Sequence, residues 1–313
     1  MSDEIVLRAL DGANPLAFLA ALGTFRLLTL EAQTEIKMSW ERLNGFWRPK
    51  LSGIHATEEE LCKKLAECRW WAPSDLFCAS LGKNITVSKD VFKPFVEKAC
   101  DAATPHDRRF ADFAAAFGWE GCEQEDKDRI KCTDFCFITG SGHQDFLGTM
   151  VALGKKVTYD HLYDALFGEW RLQEAKGMSM RWDPSDAAEY ALQWTKPSLE
   201  GAWAVLGANR LAVEALPLFP TAPSRDVLQT TGFQQRNRQH EFTWPIWEHY
   251  IGFASVRSLM SLTELQRSIE SPQDALKRKA LLAMGIKEVY RAQRVWIGEG
   301  KNRKVNFQPA RST

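Results

Sequence analysis

Residues 11–30, DGANPLAFLAALGTFRLLTL (Asp11–Leu30), follow the alternating run Ile5–Leu10 and read as strand, tight turn and buried helix. Gly12 supplies conformational freedom for the turn. Asn14 is a strong N-cap, and Pro15 at the first helical position has a φ already suited to the helix. From Leu16 onward apolar residues occupy nearly every face of the helix, and Ala17, Ala20, Ala21 and Gly23 leave room for close neighbours. A helix apolar all round belongs inside a protein. Arg26 within the window and Glu31 at its end make it unsuitable as a membrane span. Gly12 stands without a G-x-G-x-x-G or P-loop ending, so the turn reads as a structural element rather than a phosphate cradle.

The chain is 313 residues long, with 45% hydrophobic and 26% charged residues, which places it among ordinary globular proteins with a substantial core. Its net charge of zero excludes a grossly basic protein, yet the charge is unevenly placed. Residues 225–313 hold 15 Lys+Arg and 8 Asp+Glu, so residues 1–224 hold 25 and 32. Such a separation fits a polyanion-binding face on a neutral chain, or simply a solvated basic surface. The start Met1-Ser2-Asp3-Glu4 lacks a basic leader region, and no run of 18 apolar residues occurs, so a cytoplasmic protein without a membrane anchor is expected. Seven cysteines between residues 62 and 136 form neither a zinc-knuckle spacing nor an even disulfide framework, and they read as reduced thiols. No metal or organic cofactor is expected.

Outward from the first helix, Glu35–Trp40 alternates like a strand, and Asn44-Gly45 predicts a hairpin to a second strand over Phe46–Leu51. There Trp47-Arg48-Pro49-Lys50 sets an aromatic beside two cations, as a binding strip or as an edge strand protected by Pro49 and Lys50. Thr57-Glu58-Glu59-Glu60 opens a capped helix to about Trp70. Residues 90–118 predict two helices separated by Thr104-Pro105, and Glu120–Arg129 a polar loop. Phe135–Thr139, Gly140–Asp145 and Phe146–Leu153 follow in the order strand, Gly-rich turn, helix. Within that turn Ser141, His143 and Asp145 offer a nucleophile, a base and a carboxylate. Triads converge from separate loops, so capping or anion binding at the helix start is the alternative.

Ala187–Trp194 and Gly201–Leu216 predict further helices, the latter stopped by Pro217. The stretch Pro217–Pro223, where the charge balance changes, marks a boundary between residues 1–220 and 221–313. Beyond it, Asp226–Arg236 and Gln239–Thr243 alternate like strands, and Trp244-Pro245-Ile246-Trp247 leads into helical runs near 248–262, 263–270 and 272–284. The chain then closes in a hairpin over Ile286–Ile297 and Arg303–Phe307. Lys287 and Arg291 share one face of this hairpin, while Tyr290, Arg294 and Trp296 share the other. Cations interleaved with aromatics suit contacts to a nucleic-acid backbone and bases. The candidate contacts are Arg48, Lys50, Arg236, Arg238, Lys287, Arg291, Arg294, Lys301, Arg303 and Lys304. The fold class expected is α+β, with buried helices and small sheets in the N-terminal portion and a helical run closed by the basic hairpin.

Asn14-Pro15 with Leu16–Gly23 and Arg26-Leu27-Leu28 resembles the opening of large-subunit-type proteins of CRISPR Cascade complexes, especially subtype I-G (formerly I-U). Arg181-Trp182-Asp183-Pro184, Gly207–Ala212 with Leu218-Phe219-Pro220, and Trp244–Trp247 are similar in character. The chain is shorter than typical large subunits. The resemblance implies a non-catalytic subunit of an RNA-guided surveillance complex. Such a subunit contacts crRNA and target DNA through PAM or backbone, assembles with other Cascade subunits and supports recruitment of a separate helicase-nuclease. The competing classes are a hydrolytic or other enzyme at Ser141, His143 and Asp145, and a protein-binding adaptor.

Overall fold

Helix α1 forms over Pro15–Glu31 with Asn14 as its cap: the Asn14 side chain accepts from the Ala17 N–H at 3.2 Å, and Pro15 opens the helix. This is a computed structural model, and it describes residues 3–32, 34–69, 71, 74–124, 127–138, 145–174, 178–186, 203–224, 227–236, 239–266, 279–297 and 304–312. Helix α1 is buried from Pro15 to Leu28 and the remaining elements pack around it. The first sheet contains β1 (Glu4–Val6), β2 (Lys37–Leu43) and β3 (Phe46–Ser52). After it come α2 (Glu58–Ala66), α3 (Asp75–Cys78), α4 (Lys89–Asp101) and α5 (Arg109–Phe117), then the hairpin β4 (Gly118–Gln124) and β5 (Lys127–Cys132). Next are α6 (Phe146–Lys156), α7 (Tyr159–Leu166), β6 (Gln173–Glu174), β7 (Trp203–Ala204) and α8 (Leu206–Val213). The C-terminal third adds β8 (Thr221–Ser224), β9 (Val227–Thr230), β10 (Phe233–Arg236), β11 (Gln239–Trp247), β12 (Ile251–Gly252) and α9 (Phe253–Met260). It ends with β13 (Ile286–Ile297), β14 (Lys304–Phe307) and β15 (Arg311–Ser312). The fold is α+β with small antiparallel sheets.

The helix contacts are close because glycine permits them. A Cβ on Gly23 would lie 1.8 Å from the Leu211 carbonyl oxygen, and one on Gly207 would lie 2.0 Å from that of His161. Thus α1 meets α8, and α8 meets α7, nearly backbone to backbone. Beside the first crossing, Glu214 is fully buried and accepts from Arg26 at 3.0 Å and from Arg210 at 2.8 Å. Arg210 also stacks on Trp71 at 3.9 Å, and Arg26 lies over Phe113 at 5.5 Å. Burial lowers the pKa of both guanidinium groups, and the Glu214 carboxylate opposes that shift.

The first sheet has the order β1-β3-β2-β12, and the second β10-β11-β13-β14 with β15 also pairing with β13. Strand β12 comes from beyond residue 220, yet it pairs with β2 through Ile251↔Met38. Phe18 of α1 stacks on Trp40 (5.6 Å) and lies 5.7 Å from Trp244, while Trp244 Nε1 donates to the Gly12 carbonyl at 2.8 Å. One hydrophobic core therefore runs across the sequence boundary at 220/221, with Phe242, Trp244 and Phe307 packed in the same cluster as α1.

Several local expectations need correction. Within Glu120–Arg129 the described residues, Glu120–Gln124 and 127–129, belong to the paired strands β4 and β5, in place of the loop their polarity suggested. Phe135–Ile138 is buried without joining a sheet, since Cys136 N–H closes a turn onto Thr133 O at 3.0 Å. The helix expected over Gly201–Leu216 is confined to α8, with β7 before it. Trp244–Trp247 continues β11; among the described residues thereafter Phe253–Met260, a 3-10 turn at Thr263–Gln266 and residues 279–283 are helical, and residues 267–278 of the two later helical runs lie outside the described residues. The helix read over Ala187–Trp194 lies outside the described residues.

Candidate nucleic-acid interface

The β2–β3 hairpin turns on Asn44 (φ 51°) and Gly45 (φ 86°), the left-handed pair that a two-residue turn requires. This register sets Leu43 opposite Phe46 and Arg42 opposite Trp47. The tip is apolar and cationic together: Phe46 is 47% exposed and Leu43 37%, and the Arg42 side chain is 62% exposed. The Arg48 guanidinium lies 4.7 Å over the Phe46 ring and donates to the Leu10 carbonyl at 3.0 Å, while Arg42 lies 5.8 Å from the Trp47 ring. Phe46 thus presents one ring face or edge to solvent with its orientation held by Arg48. Strand β3 is central, paired with β1 and β2, so Pro49 does not guard an edge. The Pro49 carbonyl accepts from Leu7 N–H (2.9 Å), and Lys50 lies 2.8 Å from Glu4 and 3.9 Å from Glu41. The Glu4 hydrogen bond raises the Lys50 pKa and holds its charge within the sheet.

On β13 the cations have unequal fates. Lys287 pairs with Glu248 at 2.7 Å. Arg291 is only 4% exposed, donates to the Leu265 carbonyl at 3.2 Å and lies 3.9 Å from Glu241, so it is no part of a solvated strip. The reason is topological: the 3-10 turn at Thr263–Gln266 covers the face of β13 that alternation left open, and Leu265, Leu281, Ile286 and Val289 form a second apolar cluster there. Arg294 is half-buried, donating to Cys136 O at 3.1 Å, lying 3.5 Å from Asp134 and stacking on Phe137. Its cross-strand partner His240 lies 2.6 Å from the same Asp134. Lys304 stands opposite Ile297 at the far end, beside Trp296, which is 59% exposed. Arg236 lies in β10, and Arg238, Lys301 and Arg303 lie outside the described residues.

Two separate cation-aromatic patches remain in place of one continuous strip. The hairpin tip touches β13 at Arg42–Glu288 (3.9 Å), and Trp296 lies eight residues along the same strand, a span of about 26 Å. Tyr290 lies between them, its ring stacked on Trp244 and its pKa raised by burial and then by its hydrogen bond to Glu288. The sequence reading missed Arg42, Leu43 and Phe46. Asn44-Gly45 carried the signal, because a two-residue turn fixes which residues stand at its tip.

Of the three residues of the enzyme alternative, Asp145 alone is described. Ser141 and His143 lie outside the described residues. The Asp145 carboxylate accepts from Asn84 Nδ2 at 2.9 Å. Asn84 Oδ1 in turn accepts from Phe146 N–H, and the Lys83 carbonyl takes Leu147 and Gly148 N–H at 2.9 and 3.1 Å. The first-turn donors of α6 are thereby consumed, and neither Asp145 capping nor an anion at this helix start fits. Among the described residues no group of three or more His, Cys, Asp and Glu side chains is placed to hold a metal, and no helix is long and apolar enough to cross a membrane. No protein-family model and no curated protein matches the chain.

Proposed function

We propose that this chain is a non-catalytic, cytoplasmic subunit of a type I CRISPR surveillance complex, contacting crRNA and target DNA and supporting recruitment of a separate helicase-nuclease. The observation that carries this reading is the convergence of the stretches that resemble Cascade large subunits. Asn14 donates to Asp183 at 3.0 Å, Met180 N–H donates to Asn209 at 2.9 Å, and Arg210 meets Arg26 through Glu214. Trp244 donates to Gly12 O, and Trp247 to Met38 O at 2.9 Å. Stretches from residue 11 to residue 247 thus build one frame around α1, and their polar groups are engaged with one another. That supports a structural frame which presents other surfaces to partners.

The presented surface is the β2–β3 tip, where Phe46 offers stacking area and Arg42 and Arg48 offer charge, a sequence-tolerant combination for backbone and unpaired bases. In an RNA-guided complex this suffices, because base pairing reads the target. The test is binding of the full chain to single-stranded and duplex DNA across a salt series. Changing Arg42, Phe46 and Arg48 together to alanine should lower affinity at least tenfold, about 1.4 kcal/mol, and flatten the salt slope by about 1.5 log units for two lost phosphate contacts. Unchanged affinity and slope would remove the hairpin from the interface.

A further inference from the structure

The β2–β3 hairpin also limits how much of a nucleic-acid strand it holds. Among the described residues of its sheet, Phe46 is the one exposed aromatic ring. The Arg48 guanidinium covers one face of that ring at 4.7 Å, and Leu43 stands opposite Phe46 across the turn, so a single ring face is left for stacking. Alternation puts Phe46, Arg48 and Lys50 on one face of β3. Farther along that face Lys50 Nζ lies 5.7 Å over the Tyr250 ring, while Glu4 holds Lys50 at 2.8 Å and Glu41 lies 3.9 Å from it. A second base stacked next to the first would have to displace this ion-paired lysine.

The charges limit the site in the same way. In the antiparallel register Glu41 stands directly opposite Arg48, so Glu41, with 46% of its side chain exposed, lies between Arg48 and Lys50. Arg42 stands opposite Trp47, and successive residues of β3 point to opposite faces, so Arg42 and Arg48 flank the tip from its two sides. Behind Arg42, Glu288 lies at 3.9 Å. A phosphate chain running down the sheet from the tip therefore meets Glu41 and Glu4 on one face and Glu288 on the other. We propose that the tip is a one-nucleotide clamp: one unpaired base stacks on Phe46, its flanking phosphates lie against Arg42 and Arg48, and Glu41 ends the site by repelling the next phosphate. The strand crosses the hairpin instead of following it. This inference rests on the nucleic-acid reading of the hairpin, and adds the size of its ligand and the residue that limits it. One base and two phosphates form a weak, sequence-tolerant contact. Such a contact suits a subunit whose other partners hold the strand in place.

The experiment titrates the full chain with fluorescein-labelled oligothymidylates of three, six and twelve nucleotides across a salt series. Parent protein is compared with Glu41→Gln, Glu41→Asp and Glu97→Gln. Glu97 is an exposed acid on α4, and its neutralisation changes the net charge by the same amount as Glu41→Gln. The parent should show the same salt slope at every length, about 1.4 log units for two phosphates, with affinity rising only in proportion to the number of nucleotides offered. Glu41→Gln should bind the twelve-nucleotide strand about threefold or more tightly and steepen its slope by about 0.7 log units, one further phosphate, while the three-nucleotide strand gains less. Glu41→Asp and Glu97→Gln should stay close to the parent. A parent slope that grows with strand length would overturn the one-nucleotide clamp. Equal effects of Glu41→Gln and Glu97→Gln would overturn the role of Glu41. Parent protein that binds none of these strands, or binds them equally well after joint alanine replacement of Arg42, Phe46 and Arg48, would overturn the hairpin reading itself and the clamp with it.

Discussion

Glu214 is the residue on which the centre of the molecule depends most sharply. Its carboxylate is fully buried between Arg26 and Arg210, and neither guanidinium has more than 3% of its side chain exposed. Removing the carboxylate leaves two desolvated cations facing each other, so Glu214→Ala should cost about 3–5 kcal/mol in urea unfolding. Replacing all three residues together with apolar ones of similar volume should recover most of that loss. A small cost for the single change would show that the charges rearrange to solvent. Asp107 gives a pH dependence with a definite sign. Its hydrogen bonds with Arg109, at 2.7 and 2.9 Å, hold its pKa below the ordinary value of 3.8. A depressed carboxylate contributes stability above its unfolded-state pKa and loses it as pH falls through the folded value. Thermal melts from pH 5 to pH 2 should therefore be flatter in Asp107→Asn than in the parent protein. At this scale the sequence was informative about caps, since Asn14 and Thr57 both perform as read. It was silent about Glu214, because its partner Arg26 lies 188 residues away.

Among the elements, β13 and the β2–β3 hairpin show what periodicity can and cannot tell. Alternation placed Arg291 correctly on a strand face, but the burial of that face is decided by Thr263–Gln266, a turn with no pairing signature in the sequence. Arg291→Ala should accordingly behave as a stability mutant, costing about 1–3 kcal/mol through the buried Leu265 carbonyl left without its donor, while Glu241 keeps its 2.7 Å ion pair with Arg311, and the salt slope for DNA binding should be unchanged. The alanine changes at Arg42, Phe46 and Arg48 should show the reverse pattern, weaker binding with a stability loss of about 1 kcal/mol from the Arg48–Leu10 hydrogen bond, because the exposed Arg42 charge contributes little to folding. If both sets of changes moved stability and binding in parallel, the division between core and interface cations would be wrong. The helix pair at Lys89–Asp101 and Arg109–Phe117 was legible from its break at Thr104-Pro105. The β4–β5 hairpin was not, because its polar sequence lacks the alternation that marks a half-buried strand.

For the whole molecule, the α+β class followed from the mixture of helical and alternating runs, whereas the way the halves combine depended on long-range pairing. The change of charge at Pro217–Pro223 suggested two portions, but β12 joins the N-terminal sheet and Trp244 and Trp247 hydrogen-bond to Gly12 and Met38. A fragment of residues 1–220 would expose Phe18 and Trp40 where those partners sit. It should lack a cooperative melt and bind an apolar dye, and co-expression with residues 221–313 should restore the transition. A cooperative melt of the isolated fragment would show two independent cores. The same integration bears on function, since a frame in which Asn14, Arg26, Glu214 and Trp244 are engaged with one another's elements acts by presenting a surface within an assembly. The most direct measurement is to co-express the full chain with the products of its neighbouring genes, purify it by a tag and sequence the nucleic acid it carries. The account predicts a stable complex containing small RNA of uniform length with repeat-derived ends. Recovery of the chain alone, free of RNA under low-salt conditions, would contradict it.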